Sequence, residues 1–133
     1  MSVQASELVL SVTDIDVKKG GDIVVYLYEG EKGFPKVHED AKFQQRKKAS
    51  LAVVEFSFTV PKEIEGLAVK VHHDINEDGK VTKNWTGIIP KDGLGFSKEQ
   101  SISLMGLPKY EKTKLSVDDF AKKQTIKIKY YAE

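Results

Sequence analysis

Asp22-Ile23-Val24-Val25-Tyr26-Leu27-Tyr28-Glu29 is the most informative stretch of this chain. Ile23, Val25 and Leu27 fall on one face of an extended segment, and Val24, Tyr26 and Tyr28 on the other. Both faces are apolar, which predicts a strand in the middle of a sheet with neighbours above and below. The same period of two recurs on either side. Glu7 to Thr13 sets Leu8, Leu10 and Val12 against Ser11 and Thr13, and Gly20-Gly21 supplies the turn between the two strands. Leu51 to Val60 turns Ala52, Val54, Phe56, Phe58 and Val60 inward against Glu55, Ser57 and Thr59, and Pro61 ends it. Leu67 to His73 puts Leu67, Val69 and Val71 on its buried face, with Lys70 and His72 opposite. Thr125 to Tyr131 sets Ile126, Ile128 and Tyr130 against Lys127, Lys129 and Tyr131.

Ser101 to Met105 and Lys112 to Val117 read as shorter strands. Ser116 followed by Asp119 resembles a capping box for one or two helical turns. Strands separated by turn signals, with no long helical period, predict an all-β fold: a single antiparallel β-sandwich of about seven strands, immunoglobulin-like or transthyretin-like.

The chain has 133 residues, enough for one domain with its own core. Its 40% hydrophobic and 31% charged residues fit a globular protein and argue against disorder, coiled coil or collagen. Twenty-one basic against 20 acidic side chains leave a formal charge of +1, so no global field points to nucleic acid or an acidic membrane. Lys122-Lys123, Lys127 and Lys129 read as protection of a sheet edge. With no cysteine, thiol catalysis, Cys-ligated zinc and iron–sulfur clusters are excluded. No run of about 18 apolar residues is present to span a bilayer as a helix.

Val3-Gln4-Ala5 has the small-residue spacing found before a signal-peptidase cut, with Ser6 as the new start. The expected division is therefore residues 1–5 as a leader remnant or an added end, and 6–133 as one β-sandwich domain.

Two long connections interrupt the strands, 30–50 and 74–98, and function is expected on them. In the second, Asp74-Ile75-Asn76-Glu77-Asp78-Gly79 places oxygen-bearing side chains at alternate positions before a glycine, like the first half of a calcium loop. Asp74, Asn76 and Asp78, the Lys80 carbonyl and Thr82 are the candidate metal ligands. Trp85 stands where a helix–loop–helix site carries its bidentate Glu, so affinity is expected at roughly 10⁻⁴–10⁻³ M. The other reading of the same residues is a tight turn.

His72-His73 with His38 suggests a transition metal, but neighbouring strand residues point to opposite faces and cannot chelate one ion. His73 shares the parity of the buried Leu67, Val69 and Val71 and is expected at the core rim, hydrogen-bonded by its neighbours. No nucleophile elbow, phosphate loop or His-Glu-x-x-His is present.

His73 to Lys80, then Asn84, Pro90, Gly93 and Gly95-Phe96-Ser97, resemble the signature of the bacterial family called domain of unknown function 2141. That pattern runs His-Asp-x-Asn-x-Asn-Gly-x-x-Asp-x-Asn, then Gly-Ile-Pro-x-Glu-Gly-Tyr-Gly-Phe-Ser. Here Thr82 replaces an Asp, Asp92 a Glu and Leu94 an aromatic, and the path from Asn84 to Pro90 is one residue longer. The resemblance implies an exported, periplasmic or secreted protein and no established activity. The function expected is a non-enzymatic module that binds a small ligand or envelope component through its loops, as a monomer and without nucleic acid. His73, Asn84, Trp85, Asp92 and Phe96 are its candidate binding surface. The alternative is a small hydrolase-type enzyme with its site in 74–97. A pocket gathering His73, Asp74 and Asp92 would favour the enzyme, and an exposed apolar patch beside Trp85 and Phe96 the binder.

Overall fold

The computed structural model describes residues 6–75, 92–101 and 107–130. Eight strands occur among them: β1 Ser6–Thr13, β2 Asp22–Tyr28, β3 Phe43–Lys48, β4 Val54–Val60, β5 Gly66–Asp74, β6 Gly93–Phe96, β7 Lys114–Ser116 and β8 Gln124–Lys127. They form two sheets, β4-β1-β8 and β3-β2-β5-β6, with β7 also paired to β5. The fold is the expected all-β sandwich. Its pairs are antiparallel except β8, which runs parallel to β1.

Between the sheets, Leu8, Leu10 and Val12 of β1 meet Ile23, Val25 and Leu27 of β2 and Leu67, Val69 and Val71 of β5. Phe56, Phe58 and Val60 of β4 and Ile126 of β8 complete this core. The Ser116–Asp119 capping box is present and starts a one-turn helix, Val117–Phe120, that drops Phe120 into the same core.

Four expectations differ from the structure. The segment 30–50 contains β3, an edge strand whose Phe-Gln-Gln-Arg-Lys-Lys run has no apolar alternation because most of it faces solvent. Leu51, Ala52 and Val53 are exposed bends, so β4 starts at Val54. The segment 74–98 contains β6. Of the proposed Ser101–Met105 strand, Ser101 is not in a strand and 102–106 lie outside the described residues.

Gly93 and Gly95 explain β6. A Cβ on Gly95 would stand 2.8 Å from the Lys127 carbonyl oxygen, and one on Gly93 would strike the Ile128 and Tyr130 side chains. Only glycines let the chain after β8 cross so closely. There Leu94 and Lys129 exchange both backbone hydrogen bonds, at 3.0 and 2.9 Å, and tie the edge of the second sheet to the first. At the opposite edges, Gln45 and Lys47 of β3 donate side-chain hydrogen bonds to the Ser57 and Glu55 carbonyls of β4.

The outer face of the second sheet is covered as well. Val24, Tyr26, Tyr28 and Ala68 pack there under Phe34, Ala41 and Tyr110. This cover buries side chains that strand parity alone would send to water.

Candidate metal centre

On β5, Ala68, Lys70, His72 and Asp74 share the outer face, and all four are buried. β2 flanks all four, and β6 or β7 flanks Ala68, Lys70 and His72 on the other side. His72 pairs with Val24 and Leu94, and Lys70 with Tyr26 and Phe96. Asp92, just before β6, is buried too, and its Oδ2 lies 2.7 Å from His72 Nε2. One ligand atom from each of His72, Asp74 and Asp92 falls within 4.8 Å of the other two. His72 Nδ1 has no hydrogen-bond partner among the described residues, although the side chain is 0% exposed. Such an orphan costs about 1–3 kcal/mol.

Positive charge flanks this group on two sides. Arg46 of β3 donates to Asp22 Oδ2 at 2.6 Å, and its second amino group lies 3.5 Å from Asp74 Oδ2. Lys48 reaches the other Asp22 oxygen at 3.5 Å. Burial pushes the Asp22 carboxyl up, but the Arg46 hydrogen bond and the Lys48 and Arg46 charges more than reverse it, leaving it below the usual range. The same Asp22 hydrogen bond holds the Arg46 guanidinium above its ordinary value. On the other side, Lys70 Nζ donates to the Pro35 carbonyl at 2.7 Å and meets His38 Nε2 at 2.9 Å. The His38 ring stacks on Tyr26, with centroids 3.9 Å apart. Burial lowers the Lys70 ammonium to about 8.

The pocket gathering His73, Asp74 and Asp92 is not assembled. His72 takes the place expected of His73, because Asp74 is two residues from His72 and shares its side of the strand. His73 is fully buried on the inner side. Its Nδ1 meets the Tyr130 hydroxyl at 2.7 Å and its Nε2 the Gly20 carbonyl at 2.5 Å. Since Gly20 can only accept, Nε2 carries the proton and Tyr130 donates to Nδ1, while the Tyr130 oxygen accepts from the Asp16 amide at 2.8 Å. Every polar atom of that chain is satisfied, and His73 is a structural residue.

Phe96 is buried with an edge-on contact to Phe34, so it supplies no exposed patch. Asn76, Asp78, Lys80, Thr82, Asn84 and Trp85 lie outside the described residues. Sequence reading set His38 beside His72 but did not bring out Lys70 and Arg46 as neighbours of this group. The usable signal was the even-numbered run Lys70, His72, Asp74, three chemistry-bearing side chains on one strand face. A groove of about 640 Å³ opens nearby on the cover, walled by Phe34, Pro35, Val37, Leu107, Pro108 and Tyr110 among others.

Among the described residues, no helix is long and apolar enough to cross a membrane. Neither the curated proteins nor the solved structures give a match to this chain. A family profile does match, over residues 10–126, and so spans both sheets and the His72–Asp74–Asp92 group. The chain belongs to the family described as "Uncharacterized protein conserved in bacteria (DUF2141)".

Proposed function

We propose that this domain is a non-enzymatic, extracytoplasmic binding module for a small ligand or envelope component, with the 75–91 segment as its binding element and a divalent cation bracing that segment's stem. The observation supporting this is the stem. The chain leaves the second sheet at Asp74 and returns at Asp92, and both buried carboxylates converge beside His72. A long connection pinned at both ends to a rigid sheet is how scaffolds commonly present recognition residues. Asn84 and Trp85 belong to the presented segment. His73, Asp92 and Phe96 are buried close to the two ends of this connection. Val3-Gln4-Ala5 and the family resemblance favour export to the periplasm or medium, and the module acts as a monomer.

The spacing of Asp74, Asn76, Asp78, the Lys80 carbonyl and Thr82 offers calcium as the bracing ion. Titrating millimolar calcium into the chain while following backbone amide signals tests the brace. Shifts confined to 74–84, with a gain of about 1.4 kcal/mol at a tenfold excess over Kd, are expected. Unchanged signals and an unchanged melting temperature would remove calcium and leave a structural turn. Osmotic-shock fractionation of cells expressing the natural gene tests location, and retention with the cytosolic fraction would reject export.

A further inference from the structure

We infer that His72, Asp74 and Asp92 form a site for an imidazole-accepting divalent metal ion of the zinc class. The inference rests on the braced stem proposed above and names its ion.

Three observations carry it. First, the three residues offer one nitrogen and two carboxylates, the mixed donor set that suits zinc and its first-row neighbours; calcium instead takes 6–8 oxygens. Second, their ligand atoms already lie within 4.8 Å of one another on buried, strand-anchored side chains. In a tetrahedral site with bonds of about 2.0–2.1 Å, ligand atoms stand roughly 3.3 Å apart, so side-chain adjustments of about 1 Å suffice. Third, the His72 ring is fully buried with Nε2 only 2.7 Å from Asp92 Oδ2, so the nitrogen that would ligate already faces one of the two carboxylates. An ion between them would take the place of the proton they now share, which is released on binding.

The surrounding charges are compatible. Arg46 reaches Asp74 at Oδ2, at 3.5 Å, and holds the carboxylate in its charged form beside the group. Lys70 Nζ is held by Pro35 and His38. Asp22 keeps Arg46 and Lys48 drawn toward itself. Asp74 is also the first residue of the oxygen-only calcium set, so one ion or the other occupies the stem.

The test uses the full chain stripped by chelator at about pH 7.5. Zinc is titrated calorimetrically, cobalt(II) is followed by its visible absorption, and the His72 ring nitrogens are followed by NMR. Expected are one zinc per chain, cobalt bands of a nitrogen- and oxygen-ligated ion, and a zinc-dependent shift of His72 but not of His73. Asp92→Asn keeps an acceptor for His72 Nε2–H but loses a ligand charge, and is expected to weaken zinc by about 10–100-fold. With no cysteine and only three histidines in the chain, the ring shifts assign the ligand even should that variant fold poorly. Zinc binding that leaves His72 unshifted overturns the inference. Calcium binding that shifts 74–84, with no zinc or cobalt site, overturns it while the braced stem stands. No binding of any of the three ions removes both.

Discussion

Lys70 provides the most quantitative test of how the outer face of the second sheet is built. The residue is 3% exposed, its amine is held by one neutral carbonyl and one imidazole nitrogen, and burial lowers it from 10.5 to about 8. The unfolded chain holds this proton up to about pH 10.5, whereas the folded chain releases it near 8. Between those values the unfolded state binds more protons, so stability rises with pH. At about 1.4 kcal/mol per pH unit the full effect is about 3 kcal/mol, of which about 2 falls between pH 7.5 and 9.5. Above that window the signal is confounded, because burial raises Tyr26 and Tyr130 to about 12 and Tyr28 also upward. Folding holds those phenolic protons, so their contribution to stability is lost as pH rises past 10, the ordinary tyrosine value. The assay is urea unfolding at about pH 7.5, 8.5 and 9.5 for the native chain and Lys70→Met, whose methylenes replace most of the buried stem. The native chain should gain about 2 kcal/mol relative to the variant across the window. Parallel curves for the two proteins would refute a buried, proton-releasing Lys70.

Three other outcomes are expected. Tyr130→Phe strands His73 Nδ1 and the Asp16 amide, and should cost about 2–3 kcal/mol in urea unfolding, whereas a cost below about 0.5 would contradict the hydrogen-bond chain. Gly21→Ala drives a Cβ into the Asp74 carbonyl oxygen at a φ of +75°; thermal melts should show a loss above about 2 kcal/mol, and amide shifts at Asp74 and Asp92 should accompany it. Ser116→Ala removes the cap of the Val117–Phe120 turn and should cost about 1 kcal/mol by denaturant titration, with the His72 ring signals unmoved.

The sequence by itself determined the inner core. Leu8, Leu10 and Val12, or Ile23, Val25 and Leu27, can satisfy a period of two only by packing one strand face against another sheet. The doubly apolar Asp22–Tyr28 correctly reads as a central strand for the same reason. Pairing of the two edges was not legible. Phe43–Lys48 carries the charges of an exposed edge, and Gly93–Phe96 owes its glycines to the approach of Lys127 and Tyr130, which are distant in the chain. Asp74 stood out as a site residue through its turn chemistry, but its partners did not. Strand parity placed His72 away from His73 without saying whether the outer face was wet. Only the tertiary structure, folding Phe34 and His38 over that face and returning the chain at Asp92, buried Lys70, His72 and Asp74 together. Local periodicity encodes which side of a strand is apolar; what covers the other side depends on contacts between segments far apart in sequence.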